Sequence, residues 1–467
     1  MRETLVVGAG IAGLVVAREL VLQGHRVRVL EAEARAGGQL LRKSVAGIPL
    51  DAGAEAFATR GGTVRAYLER LGLADRIVSP LDAPAWLHAR TGTTVPLPAV
   101  SLLGIPSAPL AEDVVAVVGR RAAWRGMTDA LLPGPVGAKS TTLGELVRRR
   151  MGDGILEQLV APVVEGIHSQ HPDDLPVSVA PGLVHHLLRE NSLARAVARL
   201  RTDAPAGSLV AGLDGGMGML VETLLAELDR YGVPIEYGVR VAEVHADRVV
   251  LAVDPDAAGA PAGTGADHAD GDDADAEPEG EIREGLVVVA APGLVTPADG
   301  RAATRTATHL MTLVIEAGTD AARALAEDPR GTGVLVARGT DVTARALTHV
   351  SAKWAWVREA AAGREVVRLS YESAPTAETA RRDAELLLGV SIPETAVVAA
   401  ETTTWLRAGR FEAGDSIPIT GEQVSGTGLA SVIDHAHRLA EIIGPPAPEA
   451  AADSSTDPAA STERNAS

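Results

Sequence analysis

The feature that most limits this chain is at its amino end. Thr4-Leu-Val-Val-Gly8, an apolar run of the kind that forms a buried parallel strand, leads directly into Gly8-Ala-Gly-Ile-Ala-Gly13. Ile11, Leu14, Val15, Leu20 and Leu22 continue as a helix that Gly24 can cap at its C-terminus. His25–Leu30 alternates polar and apolar residues as a second strand and ends at Glu31. Strand, glycine turn, helix, strand and acid follow the order of one βαβ unit. In such a unit Gly8 permits the tight turn, Gly10 lets the backbone approach a pyrophosphate, and Gly13 lets helix and strand pack closely. The phosphates then meet unpaired N–H groups at a helix N-terminus. Glu31, 21 residues after Gly10, is placed to accept hydrogen bonds from ribose hydroxyls. A dinucleotide cofactor is therefore expected, and the unit by itself serves NAD and FAD alike.

The chain has 467 residues, which predicts two or three domains. It contains no cysteine, and this excludes a disulfide framework, a thiolate metal site and a cysteine nucleophile. The net charge of −18 argues against a nucleic-acid surface. That charge is local: residues 254–284 carry −10 and residues 445–467 carry −3, leaving −5 for the other 413. Both acidic segments read as solvated and disordered, the first as an overgrown hairpin loop. The apolar opening is interrupted by Gly8, Gly10, Gly13, Arg18 and Glu19, so neither a membrane span nor a signal peptide is expected. The cytoplasm is the default location.

Further along, Thr63–Leu73, Leu143–Met151, Ile155–Val164 and Leu183–Leu200 read as helices separated by proline-rich turns, giving a largely helical insertion over 95–195. Gly215-Gly-Met-Gly218 precedes a helix at Leu220–Leu228, and strand-like runs follow at Ile235–Val244, Val249–Val253 and Leu286–Ala290. A mixed region holds strands at Leu310–Ile315, Val334–Val336 and Val366–Leu369 and a helix at Thr376–Leu388. Gly428–Ile443 is an amphipathic helix with Leu429, Val432, Ile433, Ala436, Leu439, Ala440 and Ile443 on one stripe. Gly426 and Gly428 leave its N-terminus unobstructed, a second positive helix end.

Glu31-Ala-Glu-Ala-Arg-Ala-Gly-Gly38 extends the first unit with a glycine pair, and Pro49-Leu-Asp-Ala-Gly-Ala-Glu-Ala-Phe57 follows. On these stretches the chain resembles the flavin monooxidase/amine-oxidase superfamily. Within it, residues 159–183 and 208–228 resemble the protoporphyrinogen/coproporphyrinogen oxidases of haem synthesis, and 425–443 resembles the flavin-contacting helix. The resemblance implies an α/β fold: a Rossmann-like FAD-binding domain of the two-dinucleotide-binding type, with an α+β substrate domain and a helical insertion. The FAD domain would comprise 1–94, 205–303 and 396–444, the helical domain 95–195, and the substrate domain 196–204 with 304–395, before a disordered tail at 445–467.

The implied FAD-binding residues are Gly8, Ala9, Gly10, Ile11, Ala12, Gly13, Glu31, Ala32, Gly37, Gly38, Gln39, Gly53, Ala54, Glu55, Ala56, Val241, Gly421, Glu422, Gly428, Leu429 and Ala430. The implied reaction is oxygen-coupled oxidation of a porphyrinogen, coproporphyrinogen III first, with release of peroxide. Protoporphyrinogen IX oxidation, another flavin amine oxidase or desaturase, and a non-catalytic FAD-binding paralogue stay open. So do a peripheral membrane contact and haem-pathway protein partners. No catalytic base is named and no metal is expected.

Two departures from the family stand out. Gly421 arrives sixteen residues after Trp405, where relatives carry a Leu-Pro-Gln-Tyr-like motif and a further helix. With five Trp, four Tyr and two Phe, the pocket wall is expected from Leu, Val, Ile and Met. Other polar residues read as structural: His185-His186 as a helix surface, Arg148-Arg-Arg150 as a solvated helix end, His168 as a loop histidine, and Trp354 with Trp356 as same-face strand residues packed in a core.

Overall fold

A computed structural model describes residues 2–59, 61–168, 170–202, 210–252, 280–295, 305–411, 414 and 416–446. The expectations for residues 254–279 and 447–467 fall outside these.

The opening unit forms as its pattern predicts. Thr4–Val7 lies between Val27–Glu31 and Leu286–Val289, and Ile235–Tyr237 adds to the outer side, all four strands being parallel. Near-continuous Val and Leu is the composition of strands buried on both faces. One face is covered by helices Ile11–Leu22, Gly218–Arg230 and Leu429–Ile443, which share a core of Leu14, Val15, Leu224, Leu228, Ile433 and Ala436. The other face carries a small antiparallel sheet of Val241–Val244, Arg248–Leu251 and Ile282–Glu284, packed through Val241 and Val249 on Leu5, Val7 and Val287. The single run expected over Ile235–Val244 is two strands, because Gly238, with φ of 72°, turns the chain between them.

The second unit is helical. Leu143–Met151 forms as expected, and Ile155–Val164 is part of a continuous helical stretch with a π turn at Leu156–Val160. The helix expected over Leu183–Leu200 is broken in two, Leu183–Glu190 and Leu193–Thr202, because Asn191 takes a left-handed conformation (φ 54°). Arg150 is not the solvated helix end its sequence context suggests. Its side chain is fully buried, and its Nε donates to Asp129 Oδ1 at 2.5 Å. Its Nη groups donate to the carbonyls of Pro133, Asp129 and Asn191. Asp129 in turn accepts from Ser192 Oγ and Ala194 N, which ties the break between the two helices to the rest of the unit.

The third unit is a seven-stranded sheet in the order Val397–Ala408, Arg305–Ile315, Glu365–Tyr371, Ala346–His349, Gly333–Val336, Ala85–His88, Thr94–Pro96. Residues 85–94 and 396–408, expected in the nucleotide-binding part, belong here: Ala85–His88 pairs in parallel with Gly333–Val336, and Val397–Ala408 pairs along the whole of Arg305–Ile315. Ala196 and Val197, expected with this sheet, pack in the helical core. We therefore propose domain boundaries shifted accordingly. Side chains alternate across the sheet. Met311, Leu313 and Ile315 face helices Asp320–Ala326 and Ala377–Leu388, whereas Thr306, Thr308 and Leu310 face a cavity. Trp354 and Trp356 are not strand residues: Trp354 separates two short helices, Val350–Lys353 and Ala355–Ala361, and is buried in a core, as expected for its packing role.

Removing one partner of the Arg150–Asp129 pair leaves an uncompensated buried charge, at a cost of about 3–5 kcal/mol. Asp129→Ala is expected to lower the denaturant midpoint sharply, whereas the double replacement D129L/R150M recovers much of the loss. Chemical denaturation followed by circular dichroism checks both.

Candidate functional site

The site begins at the glycine turn. A Cβ on Gly13 would sit 1.8 Å from Gly8 O, so only glycine allows this approach of helix to strand. A Cβ on Gly10 would meet nothing within 4 Å: the space beside it is open. Gly10 is the N-cap of helix Ile11–Leu22 and supplies no side-chain cap, so the first N–H groups, those of Ile11, Ala12 and Gly13, are left for a ligand. Glu31 anchors the turn. Its Oε2 accepts from Ala9 N at 2.6 Å and its Oε1 from Glu33 N at 2.9 Å, and the remaining lone pairs can accept ribose hydroxyls. Ala32 follows at the end of the same strand. Gly37 N donates to Ala9 O, and Gly37 bridges to Gly10. A Cβ on Gly38 would lie 3.4 Å from Gly10 Cα, so the glycine pair closes against the turn. Arg35, overlooked in the sequence reading, is the cation of this segment, and its exposed side chain reaches back to Gly38 O at 3.5 Å. Val241 is buried in the core with Leu5 and Leu30, which leaves only its backbone for a ligand.

The carboxyl-terminal segment comes to the same place. A Cβ on Gly421 would be 3.6 Å from Ala12 Cβ, beside the turn. Gly428 caps helix Leu429–Ile443 without a side-chain bond, a second open helix N-terminus. Glu422 Oε2 accepts from Gln39 Nε2 at 2.9 Å, which links the two ends of the chain. Two open helix ends, at Gly10 and Gly428, and a carboxylate beside the turn at Glu31 are features that suit an adenine dinucleotide.

Beyond Gln39 lies a cavity of about 2440 Å³. Of the residues expected to bind FAD, Gln39, Gly53, Ala54, Glu55, Ala56, Glu422, Gly428, Leu429 and Ala430 line it, and the others stand outside its wall. A Cβ on Gly53 would collide with Gln39 O at 1.9 Å, so this loop can lie against the preceding segment only as glycine. Trp405 Nε1 donates to Ala52 O at 2.9 Å, and Arg368 Nη1 donates to Asp51 O at 2.6 Å. Away from that loop the wall is Leu97, Val163, Leu310, Val334, Leu335 and Leu347 with Tyr371, while the aromatic rings of Phe57 and Trp405 lie at the loop end. The expected Leu and Val are there; Ile and Met are not among the described lining residues.

After Trp405 the strand runs on to Ala408, and among the described residues from there to Gly421 none is helical. Val289 N donates to Pro418 O and Thr420 N donates to Val289 O, which seats this stretch against the parallel sheet.

Glu55 is not a free ligand group. Its carboxylate accepts from Lys353 Nζ and Arg368 Nη2, both at 2.6 Å. Burial pushes its pKa up, yet the two cations outweigh that and hold it at about 2. Four residues earlier, burial and the neighbouring Glu55 charge push Asp51 up to about 6, against the N–H groups of Met217 and Gly218 that it accepts. Gly216 packs on that carboxylate, a Cβ there falling 2.8 Å from Oδ1, so the Gly-Gly-Met motif makes room for Asp51 to cap the helix that follows. The signal for Arg368 was available: it is the one cation in Glu365–Tyr371, a strand whose alternate residues are core. His185 and His186 lie on helix Leu183–Glu190, and among the described residues no group of three potential metal ligands stands together. The side chain of His168 is outside the description.

Residues 11–271 match the family described as flavin containing amine oxidoreductase. The chain belongs to this family. Its cofactor is FAD. It is 26% identical over 265 residues to the coproporphyrinogen III oxidase of Propionibacterium freudenreichii subsp. freudenreichii, covering 50% of each chain. It is 30% identical over 231 residues to that of Mycobacterium tuberculosis (strain ATCC 25618 / H37Rv), covering 48% of this chain and 50% of the other. The chain thus spans about half the length of the curated relatives it matches. A solved structure from Exiguobacterium sp. 255-15, provisionally described as a protoporphyrinogen oxidase, superposes with a TM-score of 0.74 at 18% identity, covering 95% of this chain and 98% of that one. At that identity it establishes the flavin amine oxidase-type fold alone. Among the described residues, no helix is long and apolar enough to cross a membrane.

Two outcomes follow. Gly10→Val, whose side chain would enter the open space beside the turn without meeting the protein at Cβ, is expected to yield folded protein without flavin, read from the visible absorbance after incubation with FAD. Asp51, with a folded pKa above its usual value, favours the folded state below about pH 4, and this contribution disappears as pH rises through 6. Asp51→Asn removes that dependence, so its thermal midpoint should gain on wild type steadily between pH 4 and 7.

Proposed function

We propose that this chain oxidises a porphyrinogen to a porphyrin, with coproporphyrinogen III as the first substrate, and that O2 takes the electrons to H2O2. The observation that carries this reading is the cavity. Ordinary small-molecule sites occupy roughly 300–1,000 Å³. At about 2440 Å³ this one has room for a flavin ring system and a macrocycle beside it. Its apolar far wall suits a tetrapyrrole face. The curated relatives named coproporphyrinogen III oxidase support the same substrate class.

In this reading Gly8–Gly13 and Glu31 hold the pyrophosphate and adenosine ribose. Ala32, Gly37, Gly38 and the backbone of Val241 complete that end. Gln39, Gly53–Ala56, Gly421, Glu422 and Gly428–Ala430 border the ring. FAD, when bound, supplies the two-electron acceptor. The protein keeps the loop Asp51–Phe57 rigid through Arg368 and Trp405, excludes water with Leu and Val, and presses the macrocycle edge toward that loop. Loss of six electrons and six protons from the porphyrinogen is matched by reduction of three O2 to three H2O2.

Anaerobic addition of coproporphyrinogen III to the flavin-loaded protein is expected to bleach the flavin absorbance. Admitting O2 should restore it, with porphyrin fluorescence and three peroxides per porphyrin. Bound flavin whose absorbance does not respond would overturn the reading, and selective turnover of protoporphyrinogen IX would replace the substrate.

A further inference from the structure

The cations in the cavity wall divide into two sets. Lys353 and Arg368 are held by Glu55, and Arg407 stands 3.9 Å from Glu422, all at the end near Gly53. Arg338 and Arg345 stand elsewhere, at the edge where the sheet meets the helical unit. Glu165, on helix Ala161–His168, connects the two units there with a side chain only 6% exposed. Its Oε2 accepts from Arg338 Nε at 3.0 Å and lies 3.8 Å from Arg345 Nη2. Its Oε1 sits 2.8 Å from the same Nε but accepts no hydrogen bond.

What remains of each guanidinium matters. The Arg338 side chain is 58% exposed and its hydrogen bond to Glu165 uses Nε alone, with Glu372 and Glu157 acting on its charge from further off. Arg345 pairs with Glu372, whose side chain is 67% exposed and so readily displaced. An arginine fixed through Nε, with Nη groups facing a wet cavity, is a preset fork for a second carboxylate.

We propose that Arg338 and Arg345 form a carboxylate-binding site at the helical edge of the cavity, occupied by a propionate of the macrocycle. Glu165 is the positioning residue that aims Arg338, and Glu372 occupies Arg345 until substrate replaces it. The proposal rests on the porphyrinogen reading and adds to it the group that recognises the ring periphery. A macrocycle with a propionate at that edge is preferred over one with a vinyl group there.

The test uses full-length, flavin-loaded protein, steady-state oxidation of coproporphyrinogen III, and fluorescence titration with coproporphyrin III and with its tetramethyl ester. A hydrogen-bonded charge pair contributes about 1.5–3 kcal/mol, on the order of tenfold or more in affinity. Arg338→Gln and Arg345→Gln should each raise KM and the Kd for coproporphyrin III about tenfold, with kcat moving far less and flavin content unchanged. Glu165→Gln should give a smaller loss of the same kind. Glu372→Gln should tighten coproporphyrin binding, a direction that general damage to the fold would not give. The ester, without carboxylates, should bind wild type and variants alike.

Arginine variants that bind coproporphyrin III as wild type does, or that lose the ester equally, would overturn the site while leaving the function standing. A wild-type protein that neither binds coproporphyrin III nor oxidises coproporphyrinogen III removes the function reading itself.

Discussion

Arg368 is the point through which the architecture is joined. It grows from the middle of the seven-stranded sheet, yet its guanidinium grips the loop of the nucleotide-binding unit, donating to the carbonyls of Asp51 and Gly53 and to the Glu55 carboxylate. Lys353, at the end of a short helix beside the same sheet, takes the other Glu55 oxygen. In the proposed function this loop borders the flavin and must keep its backbone fixed, and apolar packing alone is poorly directional. Two cations and one carboxylate supply the direction. Desolvating those charges is expensive, and it is offset only because every group has a short, well-oriented partner.

The same loop illustrates how environment separates two like groups. Asp51, buried, and Glu55, its side chain 10% exposed, are acids four positions apart. Glu55 faces two cations and stays ionised far below the usual range. Asp51 has N–H donors but only a distant share of Arg368, and burial prevails, raising it to about 6. The contrast lets one carboxylate act as a permanent ionic anchor. The other serves as a helix cap that tolerates a proton, because its chief partners are backbone amides at the start of Gly218–Arg230.

What the sequence made legible follows from how local the determinants are. The first βαβ unit was readable because its constraints are steric and contiguous: a Cβ at Gly13 has nowhere to go. The amphipathic helix Leu429–Ile443 was readable from its stripe. The long-range content was hidden. Whether Ala85–His88 joins the nucleotide-binding sheet or the large one depends on pairing with residues almost 250 positions away, and short strands carry no address. Arg150 looked like a solvated helix end because three arginines in a row usually are. Its burial depends on Asp129 and on carbonyls from other turns, partners that no window around residue 150 contains. The break at Asn191 was weakly signalled, since asparagine tolerates the left-handed region but does not require it.

The short stretch after Trp405 makes a related point about what a site needs. A missing helix would matter if it were the element that held Trp405 in place. Here Trp405 lies in a twelve-residue strand paired in register along Arg305–Ile315, opposite Thr308, and its indole N–H is bonded to Ala52 O. The ring therefore borders Gly53 whatever follows it in sequence, its Cζ2 lying 3.3 Å from where a Gly53 Cβ would be. Downstream, the parallel sheet takes over: Thr420 is pinned by Val289, and Gly421 arrives beside Ala12 at the glycine turn. Two fixed points, one from each sheet, set the ends of the connection. Its length is then free to shrink to what spans the distance, because neither end relies on it for position.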